Sequence, residues 1–355
     1  KSGDVYFASE AKALLGLCTE VEELPPGHIY TQRWGLQSFR NLQCPVPEFD
    51  SPEEAARILR HLLRQSVEMR LKDGKVDGVL LSGGLDSSII AYLAKEFKPD
   101  LKTFTVGTDI NASEDLVRAQ EMAQYLGTEH HDYIYGGREI EQALPQIIHQ
   151  LESFDGDCVS GAVANYFAAR LASPYSNCVL CGEGADEFLG GYHEQKEAGR
   201  EAEFIRVTED LIANAYHTGL QRLDRMMASH SLEFRLPFLD GRVTALCSQI
   251  PLAWKVHGKK KVEKWILRKA FAGLLPDRIL NRVKQPFALG TGSAKLTELI
   301  GQREAAKENS AHEQIKPAMA LKSEAETYYY RVFKEKFTED SFDKLVTRWD
   351  PLTRR

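Results

Sequence analysis

No apolar run in this sequence reaches the roughly 18 residues that a membrane-crossing helix needs, so no membrane partner is expected. A basic excess is also missing: 45 Lys and Arg face 51 Asp and Glu, a net charge of −6, and the pI is near 6.0. A dedicated nucleic-acid binder shows a strongly basic domain, so no nucleic-acid partner is expected either. Cysteines are few and scattered, six in 355 residues (Cys18, Cys44, Cys158, Cys178, Cys181 and Cys247). That argues against a disulfide framework and for reduced thiols in a cytoplasmic protein. Cys178 and Cys181 are formally Cys-x-x-Cys, but no second pair sits at zinc-ligand spacing. Their run reads as a buried strand, in which positions three apart face opposite ways. There is no internal repeat and no low-complexity tract. Lys1-Ser2-Gly3-Asp4 reads as neither a signal peptide nor a lipidation site.

The composition is that of a globular protein, 43% hydrophobic and 27% charged, long enough for one large domain or two. Residues 1–45 read as β-rich and irregular: "VYFAS", a short helical "EAKALLGL", then turn chemistry at Leu24-Pro25-Pro26-Gly27-His28 leading into a strand. So few strands cannot bury a face alone, and the segment is expected to finish a layer begun elsewhere. "NLQCPVPEFDSP" reads as a linker. Ser51, Pro52 and Glu54 then form an N-cap, a first-turn proline and a capping box, ahead of a stripe at Leu59, Leu62, Leu63 and Val67.

Strands and helices alternate beyond this point. "DGVLL" leads to a helix over 87–97, "KTFTVG" to a helix near 113–126, and one long helical stretch is expected from about 137 to 172. "NCVLC" follows, then a glycine-rich turn and a largely helical remainder. The alternation predicts an α/β fold with an open parallel sheet and helices on both faces. Ligands of such sheets sit beyond the carboxyl ends of the strands. Both glycine-rich turns, 82–87 and 182–191, fall there.

The turn Ser82-Gly83-Gly84-Leu85-Asp86-Ser87 exposes backbone N–H groups beside a positive helix end, which makes an anion site. Gly83 and Gly84 let the backbone come close to a phosphate, and the serines add hydroxyl donors. Asp86 is the odd member, because a carboxylate repels phosphate. It makes sense if it holds Mg²⁺ that bridges to the phosphate oxygens. A plain tight turn with a capping aspartate accounts for one glycine and the Asp, but not for the glycine pair or the serine cluster. The pattern is neither G-x-x-x-x-G-K-[ST] nor G-x-G-x-x-G.

S-G-G-x-D-S in this setting resembles the pyrophosphate loop of the N-type ATP pyrophosphatases, which activate a carboxylate or carbonyl oxygen as an adenylate. "VLCGEGADEFLGGY" (179–192), "SHSLEFRLPFLD" (229–240), "KKVEKWILRKAF" (260–271) and "LLPDRILNRVKQPF" (274–287) resemble motifs of the asparagine synthetases. So do "SEAETYYYRVFKEKF" and the terminal "WDPLTRR", and the opening "VYFASEAKAL…ELPPGHIY" resembles the end of their glutaminase domain. The resemblance to these enzymes and their β-lactam synthetase relatives spans essentially the whole chain.

The resemblance implies the N-type ATP pyrophosphatase (adenine nucleotide alpha hydrolase-like) fold over 46–355, with a large helical C-terminal part. It implies that 1–45 is the end of a β-rich glutamine amidotransferase (Ntn-type) domain. ATP and Mg²⁺ are the implied cofactors; a small-molecule carboxylate and ammonia or glutamine are the implied partners, with a homo-oligomer left open. Leu81, Ser82, Gly83, Gly84, Asp86, Ser87, Val106, Gly107, Gly182 and Arg268 are implied to bind ATP and its pyrophosphate. Asp86 and Asp186 are implied to hold Mg²⁺. Lys284 is placed near the reacting carboxyl and Lys264 nearer the phosphates, where fixed ammonium groups stabilise developing charge. Glu183 stands where β-lactam synthetases have a tyrosine, and can accept a proton from ammonia or orient the substrate. His130 and His131 match a family pair and are read as packing residues.

Two departures concern the substrate. Where related asparagine synthetases carry Thr-Thr-x-Arg-Ala-Ser, with an arginine for aspartate's α-carboxylate, this chain has "DGDCVSGAV", placing Asp157, Cys158 and Ser160 there. An added carboxylate in place of a guanidinium would repel that α-carboxylate. "FALGTG" replaces "F-S-D-G" after Lys284 and is closer to β-lactam synthetases. The leading expectation is therefore ATP-dependent amide formation through an acyl-adenylate, from a carboxylate that need not be aspartate. Intramolecular ring closure is the second reading, and a tRNA-modifying pyrophosphatase the third.

Overall fold

The computed structural model describes residues 5–39, 44, 45, 47–109, 114–308 and 319–347. The terminal "WDP" and its following residues lie outside these.

The first described segment holds a short 3₁₀ turn at Ala11–Leu14 and an antiparallel hairpin of β1 (His28–Thr31) and β2 (Gly35–Ser38). "VYFAS" forms no strand. Two strands cannot cover a face, and Ile29, Trp34 and Leu36 stay exposed. Helix α1 (Pro52–Leu71) starts as its sequence dictates: the Glu54 N–H donates to Ser51 Oγ at 3.2 Å with Pro52 in the first turn. Its stripe of Leu59, Leu62, Leu63 and Val67 is buried.

Next come β3 (Val76–Leu80), α2 (Leu85–Phe97), β4 (Lys102–Thr108), α3 (Glu114–Leu126) and β5 (Glu129–Tyr135). The expected single helix over 137–172 is in fact two, α4 (Gly137–Leu151) and α5 (Gly156–Ala172). Glu152 ends α4 in the left-handed region, φ 59°, and Asp155 caps α5 by accepting from the Cys158 N–H at 3.0 Å. An acidic cap followed by glycine restarts the helix in a new direction, and the apolar period on both sides had masked it. The Glu152 carboxylate also accepts the Ala11 and Lys12 N–H groups, at 3.0 and 2.7 Å, which ties the 3₁₀ turn to the body.

β6 (Cys178–Leu180), α6 (Ala185–Leu189) and β7 (Glu233–Arg235) complete a five-stranded sheet, order β5-β4-β3-β6-β7, parallel throughout. Two apolar cores flank it. Cys178 and Leu180 point into one and Val179 into the other, so both faces are covered. Cys181 packs on the core opposite Cys178, and all six thiols are unpaired. His131 stacks on Phe104, and His130 Nδ1 lies 2.9 Å from Thr103 Oγ1, in keeping with packing roles.

The chain builds outward from β3 to β5, then returns to place β6 on β3's other side. The strand order therefore reverses between β3 and β6, and the crevice at their carboxyl ends is where such sheets bind ligands.

Candidate active site

The two glycine-rich turns meet in that crevice. A Cβ on Gly182 would come within 2.7 Å of the Ser87 nitrogen and 2.9 Å of the Asp86 carbonyl carbon, so only glycine lets the turns touch. In the first turn the serines staple the loop: Ser82 N–H donates to Ser87 Oγ at 3.2 Å, and Ser87 Oγ donates to the Gly84 carbonyl at 3.3 Å. Gly84 then caps α2 without a side chain, leaving its first N–H groups toward the crevice.

Asp86 and Asp186 converge there. Lys264 Nζ lies 2.5 Å from Asp86 Oδ2 and 2.6 Å from Asp186 Oδ1, and Lys284 Nζ lies 2.7 Å from Asp186 Oδ2. Lys264 is only 2% exposed and holds a left-handed backbone, φ 53°, at the start of the short helix Trp265–Ala270. Burial disfavours charge on Asp186, but the ammonium groups of Lys264 and Lys284 outweigh it and hold the carboxyl well below the usual range. At Asp86 burial prevails over Lys264 and pushes the carboxyl up. Burial also opposes charge on Lys284, yet Asp186 and Asp86 overcome it and raise the ammonium above its ordinary value.

The acidic pair fits a magnesium ion. Asp86 Oδ1 is buried without a hydrogen-bond partner, and among the described residues no third His, Cys, Asp or Glu joins the pair as a metal cluster. Mg²⁺ is habitually held by one or two carboxylates, with phosphate oxygens and water completing its octahedron.

The cleft is lined by Leu81, Ser82, Gly84, Asp86, Ser87, Val106, Gly182, Glu183, Asp186, Lys264, Arg268 and Lys284. Four expected residues stand apart. Gly83, φ 65°, faces α3, where a Cβ would meet Arg118 at 2.4 Å, so only glycine suits both the turn and that packing. Gly107 is buried in β4, paired with Ile134 of β5. Asp157 is exposed, and the Ser160 carbonyl accepts from Ser293 Oγ at 3.1 Å; neither lines the cleft. What lies beside that segment is Arg222, from the helix Gly219–Ala228: a Cβ on Gly161 would sit 2.8 Å from its Cδ. Arg222 donates to Glu183 Oε1 at 3.0 Å, so the guanidinium next to Glu183 comes from another helix.

Arg268 lines the cleft, and four of its five N–H groups donate to protein. They reach the Glu263 carbonyl (2.8 Å), Glu263 Oε1 (2.8 Å), the Leu280 carbonyl (2.5 Å) and the Arg282 carbonyl (3.0 Å). Arg268 thereby fixes the strap that carries Lys284. Glu263 accepts the Lys284 N–H at 3.0 Å as well. Arg282 does the corresponding work on the first turn, donating to the Ser82 carbonyl at 3.1 Å and Asp115 Oδ1 at 2.5 Å. Gly290, in "FALGTG", packs on that same Asp115. Sequence reading missed Glu263, Arg282, Asp115 and Arg222. Their partners lie far off in sequence, and no local pattern marks them.

The asparagine synthase family pattern matches residues 58–215 and 201–351. The chain is 31% identical to asparagine synthetase [glutamine-hydrolyzing] 2 of Arabidopsis thaliana, over 98% of its own length and 64% of that protein's. It is 32% identical to the Zea mays asparagine synthetase, covering 98% and 63%, and 30% identical to asparagine synthetase B of Escherichia coli (strain K12), covering 97% and 65%. It thus spans a little under two-thirds of these relatives. A solved NMN synthetase from Francisella tularensis shares 15% identity at a TM-score of 0.37, covering 82% of this chain and 97% of that one, a likeness too loose to carry an argument. Two turns whose aspartates meet, in a chain that the family pattern matches through both of them and beyond, make the assignment: this chain belongs to the asparagine synthase family.

Proposed function

We propose that residues 46–355 catalyse ATP-dependent amide formation. A carboxylate oxygen attacks the α-phosphorus of ATP, pyrophosphate leaves, and ammonia then displaces AMP from the acyl carbon to give the amide. The observation that carries this reading is the convergence of Asp86 and Asp186, from two separate strand ends, on the buried Lys264. These two carboxylates would hold a magnesium ion, which would supply positive charge to offset that of the departing pyrophosphate. The first turn and α2 offer N–H groups to the same phosphates. Lys284, at the cleft wall, stabilises charge on the reacting carboxyl. Glu183, oriented by Arg222, takes the proton that ammonia loses.

Residues 1–45 are read as the end of a glutaminase region that supplies the ammonia. Unpaired thiols suit work in the cytoplasm, and no helix among the described residues is long and apolar enough to cross a membrane. The acceptor is a small carboxylate. Repulsion from Asp157 is no argument against aspartate, because that side chain is exposed and away from the cleft.

The test is to incubate the protein with MgATP, ¹⁵N-ammonium and a panel of carboxylates that includes aspartate. Pyrophosphate, AMP and ¹⁵N-amide should appear in equal amounts with one class of acid. Adenylate turnover without ¹⁵N in the product would transfer the assignment to intramolecular ring closure. No pyrophosphate with any acid would overturn it.

A further inference from the structure

The helix Gly219–Ala228 carries a second arginine, Arg225, three positions after the Arg222 that donates to Glu183. Residues three apart are neighbours on one helix face, with about 4.5 Å of rise between them. Both side chains turn toward the α4–α5 pair. Arg222 crosses Gly161 of α5, and the Arg225 guanidinium lies 3.6 Å from Oε2 of Glu152, at the end of α4.

Arg225 has little freedom. Its side chain is 14% exposed, and it donates to the Ser9 carbonyl at 2.9 Å and to Glu10 Oε1 at 3.4 Å. Asp224 Oδ2 also accepts from it, at 2.9 Å. Glu152 is fixed in turn: it accepts the Ala11 and Lys12 N–H groups, and its backbone is in the left-handed region that a glutamate seldom adopts. Two more contacts fasten the helix. Gln221 Nε2 donates to the Leu151 carbonyl at 2.9 Å, and His217 Nε2, two residues before the helix, lies 2.9 Å from Glu23 Oε2. Residues of the first segment thus hold this helix ahead of its start and again at Arg225.

The start of the same helix borders the cleft. A Cβ on Gly219 would lie 3.3 Å from Glu183 Oε1. Backbone hydrogen bonds make a short helix move as one body, so a displacement at Arg225 reaches Arg222 within a single turn.

We infer that Arg225 is a positioning residue: by locking the helix to residues 9 and 10 and to Glu152, it sets the place of Arg222 and, through it, of Glu183. This rests on the reading of Glu183 as the group that takes ammonia's proton. A base in that role must stand within hydrogen-bond reach of the nitrogen, so a small shift of the helix slows the ammonia step. Adenylation draws on Asp86, Asp186 and Lys264, which belong to other elements. The two half-reactions therefore depend on Arg225 to different degrees.

The test measures them separately, with the acid that supports pyrophosphate release in the panel above. Exchange of labelled pyrophosphate into ATP without ammonia reports adenylation. The kcat/KM for ammonia in amide formation reports the second step. In Arg225→Met the latter should fall about tenfold or more, where a 1 Å misplacement can cost about 10²-fold, while exchange stays within about twofold of wild type. Combining Arg222→Met with Arg225→Met should cost little more than Arg222→Met alone, because both act on one carboxylate. Glu10→Ala, a change at the partly exposed end of the contact, should lower ammonia use by a smaller factor and spare exchange. It decides the matter if Arg225→Met does not fold. Equal losses in both assays would make Arg225 a merely structural residue and overturn the inference. Unchanged ammonia use in Arg225→Met and Glu10→Ala, or losses that multiply in the double variant, would do the same. Normal ammonia use in Arg222→Met, or no exchange with any acid, would overturn the parent reading and this inference with it.

Discussion

The Nζ atom of Lys264 lies 2.5 Å from Oδ2 of Asp86, although 178 positions separate the two residues. The same nitrogen touches Asp186, so one ammonium joins the two turns at the heart of the cleft. Asp86→Asn keeps the shape of the turn and leaves Lys264 paired with Asp186. It should abolish pyrophosphate release while circular dichroism and the unfolding temperature stay close to wild type. Near-normal release at saturating Mg²⁺ would show that Asp86 has no part in holding the metal.

Lys284 offers the cation that is partly open to the cleft, its side chain 26% exposed against 2% for Lys264. Losing a group that stabilises transition-state charge costs about 10²–10³ in rate. Lys284→Ala should show a loss of that order in kcat. A change below tenfold would assign the role to Lys264.

The acidic pair predicts a phosphate-specific dependence on magnesium. Chelating the metal should weaken ATP binding strongly but leave AMP binding nearly unchanged, because AMP lacks the β- and γ-phosphates whose charge the metal would offset. Calorimetric titration of both nucleotides with and without EDTA makes the comparison. Equal sensitivity of the two would place the metal elsewhere.

Arg268 should behave as a structural residue. Breaking a buried ion pair by removing one partner costs about 3–5 kcal/mol, and Arg268 also holds the Leu280 and Arg282 carbonyls. Arg268→Met should lower the unfolding temperature by several degrees. A variant with normal stability but weakened ATP binding would assign Arg268 the phosphate role that its motif implies.

Arg222 sets the position of Glu183 through a charge-assisted bond of a kind worth about 1.5–3 kcal/mol. Arg222→Met should reduce kcat/KM for ammonia by roughly ten- to a hundredfold on the same scale. Arg222→Lys should not restore it, since a lysine lacks the guanidinium fork. Full activity in Arg222→Met would mean that Glu183 is held by other means.

The parts of the site readable from sequence are those whose chemistry is local. Ser82 to Ser87 announce a turn between strand and helix, and Ser51 with Glu54 announces the start of α1, because caps and turns are decided within a few residues. The boundary at Glu152–Asp155 is equally local, but continuous apolar periodicity across it hides the Asp-Gly pair. The supporting contacts were of a different kind. Arg282 finds Asp115 at a separation of 167 positions, and Arg222 finds Glu183 at 39. Only the sheet's strand order brings such partners together. Arg268, one turn beyond Lys264, lines the cleft and also donates to the neighbouring Glu263 carboxylate, a partner its spacing from Lys264 does not announce.

Placing β6 against β3 has a kinetic consequence. Residues paired in that ladder, such as Val79 and Leu180, are divided by two full strand–helix crossovers and the α4–α5 pair. Closing so long a loop is entropically slow compared with forming the helices inside it. The helical signal should therefore return early after dilution from denaturant, while the capacity to release pyrophosphate returns only when that late ladder forms. The acidic pair becomes a clock for the last step of folding.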